Sequence, residues 1–399
     1  MAVNEYDVIV VGSGPAGATA STLLAQQGHS VIMIERDEHP KFHIGESLLP
    51  FSAPIFDRLG IEWEEGQYLP KGGAEFINEK AGFAARFPLS LTYQPYQVER
   101  SKFDLMMVEN AKKHGVIVHQ NEAVDAVDID AGGVRVSSEN SHYTARYLID
   151  ATGRDAMMGR KHRSIERIAN LGRFALYTHY KKADSKKAKA MYECGDIKVF
   201  LVDIGWIWVI PLVGNRLSVG LVVHDSVKPE KKGEALFEQY INQSDFLPAL
   251  LEGAEVEAPL RVEADFSFYN KNRYGARFAC CGDASGFLDP IFSSGVLLAV
   301  TSAERVADRV DYALKENREN DADLHLEDDT DYLLGLNSML LFVGRFYNND
   351  LVKRLLLEAN RNESVKNDIM GLLGGDLWTG TNTFQEKLLS SRQAQKGVP

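Results

Sequence analysis

The chain has 399 residues, 45% of them hydrophobic, and a formal net charge of −12 at pH 7. That length buries a large core in about two domains, and the acidic balance argues against nucleic acid as a partner. No apolar run reaches the roughly 20 residues needed to cross a bilayer. The start Met1-Ala-Val-Asn-Glu-Tyr-Asp7 lacks a signal peptide's basic and apolar regions, so a cytoplasmic protein without membrane contact is expected. The 3 cysteines, Cys194 and the adjacent Cys280 and Cys281, give neither a disulfide framework nor a metal-ligand spacing, and no metal is expected. In a strand the adjacent pair points to opposite faces and reads as packed thiols.

Asp7-Val-Ile-Val-Val-Gly12-Ser-Gly14-Pro15-Ala16-Gly17 predicts a buried strand, a tight glycine turn and a helix. In that arrangement Gly12 allows the sharp turn, Gly14 lets backbone N–H groups approach a pyrophosphate, and Gly17 packs the helix on the strand. The helix N-terminus then favours phosphate charge. A second apolar strand, Val31 to Ile34, ends on Glu35 followed by Arg36, the distance at which an acidic side chain takes ribose hydroxyls. Strand, helix, strand and acid in register disfavour a turn that binds nothing.

Further along, Gly45-Glu46-Ser47 forms a turn before a helix-like run from Phe51 to Leu59, suited to backbone lying against a flat ligand. Lys71-Gly72-Gly73 fits a loop or strand edge, where sequence physics favours a solvated lysine. Residues 83–98 alternate loosely as strands do, and Arg100 opens a helix to about Lys113; such an arginine is an anion contact or, more often, a solvated charge. A hairpin turning near Gly132-Gly133 precedes a strand ending in Asp150-Ala-Thr-Gly153, at an edge where parallel sheets meet their ligands.

Phe174–Tyr180, Ile197–Val202, Gly205–Leu212 and Arg216–Val223 read as successive antiparallel strands, with Trp206 and Trp208 on one face. The bland account of the two tryptophans is a thick core. The chain then returns to the first domain with a strand, a Gly282-Asp283 turn, the loop Asp289-Pro290-Ile-Phe292-Ser293-Ser294-Gly295, and a helix whose N-terminus points free N–H groups at an anion or carbonyl. There Asp283 is placed to accept from a polyol. Glu316 to Asp331 reads as an acidic solvated loop, and the stretch from about Asp331 to Leu389 as helical with a fraying polar tail.

The Gly12–Gly17 motif with Glu35, Gly282-Asp283 and Asp150–Gly153 resembles the FAD-binding fold of p-hydroxybenzoate hydroxylase and its relatives, over about three quarters of the chain. Within it, Trp206-x-Trp208-x-Ile210-Pro211, Gly45-Glu46-Ser47, Lys71 before Gly72, and Asp289 to Gly295 look like the flavin-dependent halogenases. Phe292 stands where tryptophan halogenases carry a glutamate, which points to the halogenases of phenol and pyrrole rings.

The resemblance implies an α/β protein, α+β overall: a Rossmann-like FAD domain (1–82, 100–165 and 271–315), a largely antiparallel substrate-side sheet (83–99 and 166–270) and a C-terminal helical region (316–399). FAD would be held by Gly12, Gly14, Pro15, Ala16, Gly17, Glu35, Arg36, Gly45, Glu46, Ser47, Arg100, Gly153, Asp283, Pro290 and Gly295. Chloride or bromide would lie near the backbone of Ser294 and Gly295, with Lys71, Trp206, Trp208 and Ser293 as catalytic residues. Reduced FAD from a separate flavin reductase, with O2, would oxidise the halide to hypohalous acid, which Lys71 passes to an electron-rich aromatic ring. That ring would be free or tethered to a carrier protein, for which Arg160, Lys161, Arg163, Lys353 and Arg354 are a candidate docking patch, although solvated surface is the simpler reading. The alternatives are an FAD monooxygenase, a geranylgeranyl-reductase-like enzyme, and a flavoprotein that binds flavin or a carrier without catalysis.

Overall fold

The computed structural model describes residues 4–90, 93–168, 170–264, 267–348 and 362–390. Strand Asn4–Val11 lies between His142–Asp150 and Val31–Ile34 and runs parallel to both; Phe278–Cys280 and Ile117–His119 extend the parallel order outward. Val8, Ile9 and Val10 are fully buried, as a parallel strand covered on both faces requires. Helices Pro15–Gln26, Arg100–Lys113 and Gly295–Glu316 cover one face through Leu23, Met107 and Val300. The expected hairpin, Val124–Asp130 with Gly133–Ser138, covers the other. Cys281 belongs to the first of these cores and Cys280 to the second, so the adjacent thiols do point to opposite faces.

Val11 is level with Ile34 and with Asp150, and Asp150 with Cys280. The loops that begin at Gly12, Glu35, Ala151 and Cys281 therefore leave one carboxyl edge of the sheet, where open α/β sheets bind ligands.

The second sheet has 8 strands, and all of its pairings are antiparallel except that of Ile197–Val202 with Gly73–Asn78. Strands Ile197–Val202 and Gly205–Leu212 fall where the sequence predicts them. The Gly214-Asn215 turn has φ of +78° and +55°, the left-handed pair that a tight hairpin needs. One correction concerns residues 73–78, counted above with the nucleotide domain. They pair with Phe83–Pro88 and Ile197–Val202, because Ala74 and Phe76 bury themselves on the same face as Trp206 and Trp208.

That face is covered by helices Leu326–Asn348, Glu363–Gly374 and Thr383–Leu389; the opposite face carries Lys186–Cys194 and Gly233–Gln243. Part of the expected C-terminal helical run (349–361) and the polar tail (391–399) lie outside the described residues. The acidic stretch is no free loop: Glu319 is buried, Asp329 takes two hydrogen bonds from Arg273, and Asp328 pairs with Arg309. Among the described residues no helix is long and apolar enough to cross a membrane.

Candidate functional site

The glycine cradle is made by clearance. Gly12 has φ of +101°, and a Cβ there would lie 2.3 Å from the Ala151 carbonyl oxygen; one at Gly17 would lie 1.9 Å from that of Gly12. Both glycines are required by the fold itself. Gly14 differs, since a Cβ there meets nothing within 4 Å. Its lack of a side chain serves no contact of the chain and leaves space for a closely approaching ligand. Pro15 and Ala16 continue from it as the first turn of the helix, where free N–H groups accumulate.

Glu35 is buried and accepts from the Ser13 N–H (2.9 Å) and hydroxyl (2.8 Å), the Asp37 N–H (3.0 Å) and Lys41 Nζ (2.6 Å). Burial pushes its carboxyl up, but Lys41 and the two backbone donors outweigh it and hold it at about 2. Both its oxygens are engaged by the chain itself. Arg36 is largely exposed and pairs with Asp155.

Arg100 is neither solvated nor free for an anionic ligand. It is buried, forks onto both oxygens of Asp104 (2.8 and 2.9 Å), and donates to the carbonyls of Ile44 (2.9 Å) and Gly45 (3.3 Å). Its role is to brace the 44–47 turn, in which Gly45 has φ of +106°. Beyond it, Glu46 Oε1 lies 2.8 Å from His179 Nε2, while Glu46 Oε2 and the Ser47 hydroxyl are buried without a partner among the described residues.

At the same edge, Gly153 has φ of +63° and open space beyond its Cα. The Asp283 carboxylate accepts no hydrogen bond among the described residues; burial pushes its carboxyl up to about 6, against the opposing pull of Arg100 and Arg154. An open Gly14, an unspent Asp283 and an orphaned Ser47 hydroxyl fit a polyol and pyrophosphate ligand, so the residues present suit FAD. Pro290 opens a short 3-10 turn capped by Asp289, Ser293 takes a left-handed φ of +58°, and Ser294 caps helix Gly295–Glu316. Gly295, at the start of that helix, has only Phe287 within 4 Å of a built Cβ.

Lys71 overturns the solvated-turn reading. It is 1% exposed, and its Nζ donates to the Leu48 carbonyl at 3.0 Å. Burial pulls its ammonium down to about 7, with the charge of Asp196 working the other way. Trp206 and Trp208 share a face, with ring centroids 5.8 Å apart, and both are buried. Trp208 donates to the Ser218 hydroxyl (3.1 Å), and Trp206 to Tyr347 (2.6 Å), whose hydroxyl donates to Asp289 (2.8 Å). Phe292 stacks on Phe342 at 4.2 Å and packs against Phe76 and Phe346, so an aromatic wall occupies the place of the absent glutamate. Sequence reasoning missed Asp196, His179 and Tyr347. No local signal marks any of them, because each acts across a long sequence separation.

Residues 5–322 match the family described as FAD binding domain. Over 326 residues the chain is 31% identical to the 1H-pyrrole-2-carbonyl peptidyl-carrier-protein brominase of Pseudoalteromonas luteoviolacea (strain 2ta16), covering 78% of this chain and 79% of the relative. The chain belongs to the flavin-dependent halogenase family. Another family member, the tryptophan 2-halogenase of Chondromyces crocatus, is 34% identical over 74% of this chain, which spans 59% of that longer relative. The fold is that of the solved flavin-dependent brominase Bmp2, with a TM-score of 0.87, 24% identity and 98% of each chain covered.

Proposed function

We propose that this protein is an FAD-dependent halogenase that uses reduced FAD, O2 and chloride or bromide to halogenate an electron-rich phenolic or pyrrolic ring. The observation that carries this reading is Lys71: a fully buried lysine whose ammonium burial pulls down to about 7, its Nζ donating to the Leu48 carbonyl beside the 44–47 turn. In a monooxygenase or a reductase that amine has no task.

Gly12, Gly14 and Gly17 would admit the pyrophosphate, Asp283 would accept from the ribityl chain, and the Arg100-braced turn 44–47 would lie against the ring system. When bound, reduced FAD supplies the two electrons with which O2 converts halide to hypohalous acid and water. The N-terminal N–H groups at Ser294 and Gly295 favour the halide. Lys71 receives the hypohalous acid in either of two ways. Its neutral amine forms an N–halogen bond and releases water, or its ammonium donates a hydrogen bond to the oxygen. In both cases the ring attacks the halogen and then loses a proton. Trp206, Trp208 and Phe292, buried in one hydrophobic cluster, would keep water from the oxidant, which it would otherwise dilute. The left-handed turn at Ser293 sets the direction in which Ser294 is presented.

The brominase relative acts on a pyrrole carried by a peptidyl carrier protein, and this supports a tethered substrate here. Arg160 and Lys161 spend their side chains on the backbone carbonyls of Asp155 and Val127, which weakens them as a docking patch. Lys353 and Arg354 lie outside the described residues. With no second glycine-rich nucleotide fingerprint in the sequence, we assign electron supply to a separate flavin reductase in the cytoplasm, where the free cysteines would stay reduced. The test is mass spectrometry of products from free and carrier-loaded phenols and pyrroles, given a reductase and each halide. A halogen isotope pattern is expected; oxygenated or hydrogenated product without halide dependence would move the assignment to the monooxygenase or reductase reading.

A further inference from the structure

Lys71 lies in a turn that is held on every side. Its N–H donates to the Pro95 carbonyl (2.8 Å), its own carbonyl accepts from Gln94 Nε2 (3.2 Å), and its Nζ is spent on the Leu48 carbonyl (3.0 Å). The end of helix Lys186–Cys194 packs straight onto this turn. A Cβ at Gly72 would lie 2.2 Å from the Cys194 carbonyl oxygen and 3.0 Å from Asp196 Oδ1, and one at Gly195 would lie 2.0 Å from the Pro70 carbonyl oxygen. Only glycine at both positions permits the approach, and what the approach delivers is a carboxylate against Gly72, the residue that follows Lys71.

Asp196 is itself enclosed, its side chain 3% exposed, and it takes two hydrogen bonds from Arg86, at 2.6 Å from Nε and 3.0 Å from Nη2. Arg86 Nη2 also comes within 3.4 Å of the built Gly72 Cβ, so both charges flank the turn. The other segments packed on Lys71 carry less. Glu46, on the loop that supplies the Leu48 carbonyl, is turned to His179; Gln94 and Gln97 are neutral; Cys194 contributes its carbonyl to the contact with Gly72. Phe292 brings no charge to this region, its ring being stacked on Phe342.

We propose that Asp196 is a positioning residue that acts through Lys71, its negative charge favouring the ammonium and Arg86 limiting how strongly it does so. A buried carboxylate acts on a buried amine through little water, and the half-exposed Arg86 guanidinium forked onto it cancels part of its field. The pair thus balances the lysine between amine and ammonium, the two forms that the relay of halogen and of a proton require. This inference rests on the halogenase reading for its purpose, but not for its test.

The test follows the amine directly. Protein carrying lysine labelled with 13C at Cε is titrated by NMR without substrate, the Lys71 signal being identified by its loss in Lys71→Met. Asp196→Asn is expected to lower the Lys71 midpoint by about one pH unit, and Arg86→Met to raise it by a similar amount. A role in packing alone has no reason to move the midpoint in opposite directions. Unchanged midpoints, or two shifts of the same sign, overturn the proposal. Should Asp196→Asn fail to fold, the sign of the Arg86→Met shift decides alone, a rise supporting the proposal and anything else overturning it. Opposite shifts in a protein that forms no halogenated product would sustain this inference while the halogenase reading failed; product formation with unmoved midpoints would do the reverse.

Discussion

The glycine cradle and the Lys71 turn both depend on close backbone approach, yet they are built in different ways. In the cradle Gly17 approaches Gly12 within one local motif, while Gly12 approaches Ala151, at the end of the parallel strand His142–Asp150. At Lys71 the partners come from residues 48, 95 and 194–196, so the lysine's chemistry is created by tertiary burial and owes nothing to its own surroundings in sequence. The cradle's glycine spacing is written in one short motif; the burial of Lys71 is written nowhere near it.

The sharpest way to separate the two regions is to remove the lysine. Lys71→Ala should lower halogenated product by roughly 1000-fold or more while FAD binding and O2 consumption persist. Flavin fluorescence, an oxygen electrode and product mass spectrometry check this; wild-type product formation would leave Lys71 as a buried structural lysine only.

Within the cradle, the two kinds of glycine should respond oppositely. Gly14→Leu should leave the apo protein's melting temperature nearly unchanged and weaken FAD by roughly 100-fold, because the added side chain occupies only ligand space. Gly17→Ala, which drives a methyl into the Gly12 carbonyl, should cost on the order of 3 kcal/mol of stability before any ligand is added. Thermal melts and FAD titration of the two variants would erase the distinction if both lost only affinity.

Restoring an acid at position 292 should fail. Phe292→Glu would place a carboxylate among Phe342, Phe76 and Phe346 and destabilise the fold by about 3 kcal/mol or more, measured by denaturant unfolding. A stable variant would mean that the wall is more open than it is drawn here.

The buried lysine should also show in the pH dependence of stability. Its folded-state value of about 7 lies below the ordinary 10.5. Between those limits the unfolded chain holds a proton that the folded chain lacks, so stability from this residue rises by about 1.4 kcal/mol per pH unit and is lowest below pH 7. Lys71→Met should therefore melt higher than wild type at pH 6 and lose that advantage by about pH 10. The smallest effect belongs to Arg36→Ala. Its exposed pair with Asp155 should contribute less than about 0.5 kcal/mol, and a larger loss on urea unfolding would show that the surface rim carries more of the cradle than its geometry indicates.

The parallel strands, the helix Arg100–Lys113 and the strands flanking Gly214-Asn215 were legible because period, caps and turn glycines are local quantities. The cradle glycines were legible for the same reason. Apart from the family resemblance, residue physics favours solvated charges at Lys71 and Arg100, because nothing adjacent reveals that residues about 20 and about 50 positions away enclose them. The 73–78 segment falls within the nucleotide domain by sequence order yet pairs in the second sheet, since its partner at 197–202 lies far downstream. Asp196 left no trace at all: a single aspartate after a helix-ending glycine is indistinguishable from a surface turn until the fold closes.

The parallel pairing of Gly73–Asn78 with Ile197–Val202 also bears on how the chain comes to carry a buried amine. Lys198 and Glu75, a bridged pair across these strands, are 123 positions apart. Closing a loop of that length costs conformational entropy before any contact repays it. Until the strand after Cys194 has docked, Lys71 is an ordinary lysine in water, protonated at neutral pH. The enclosure that pulls the Lys71 ammonium down therefore appears only when the second sheet closes.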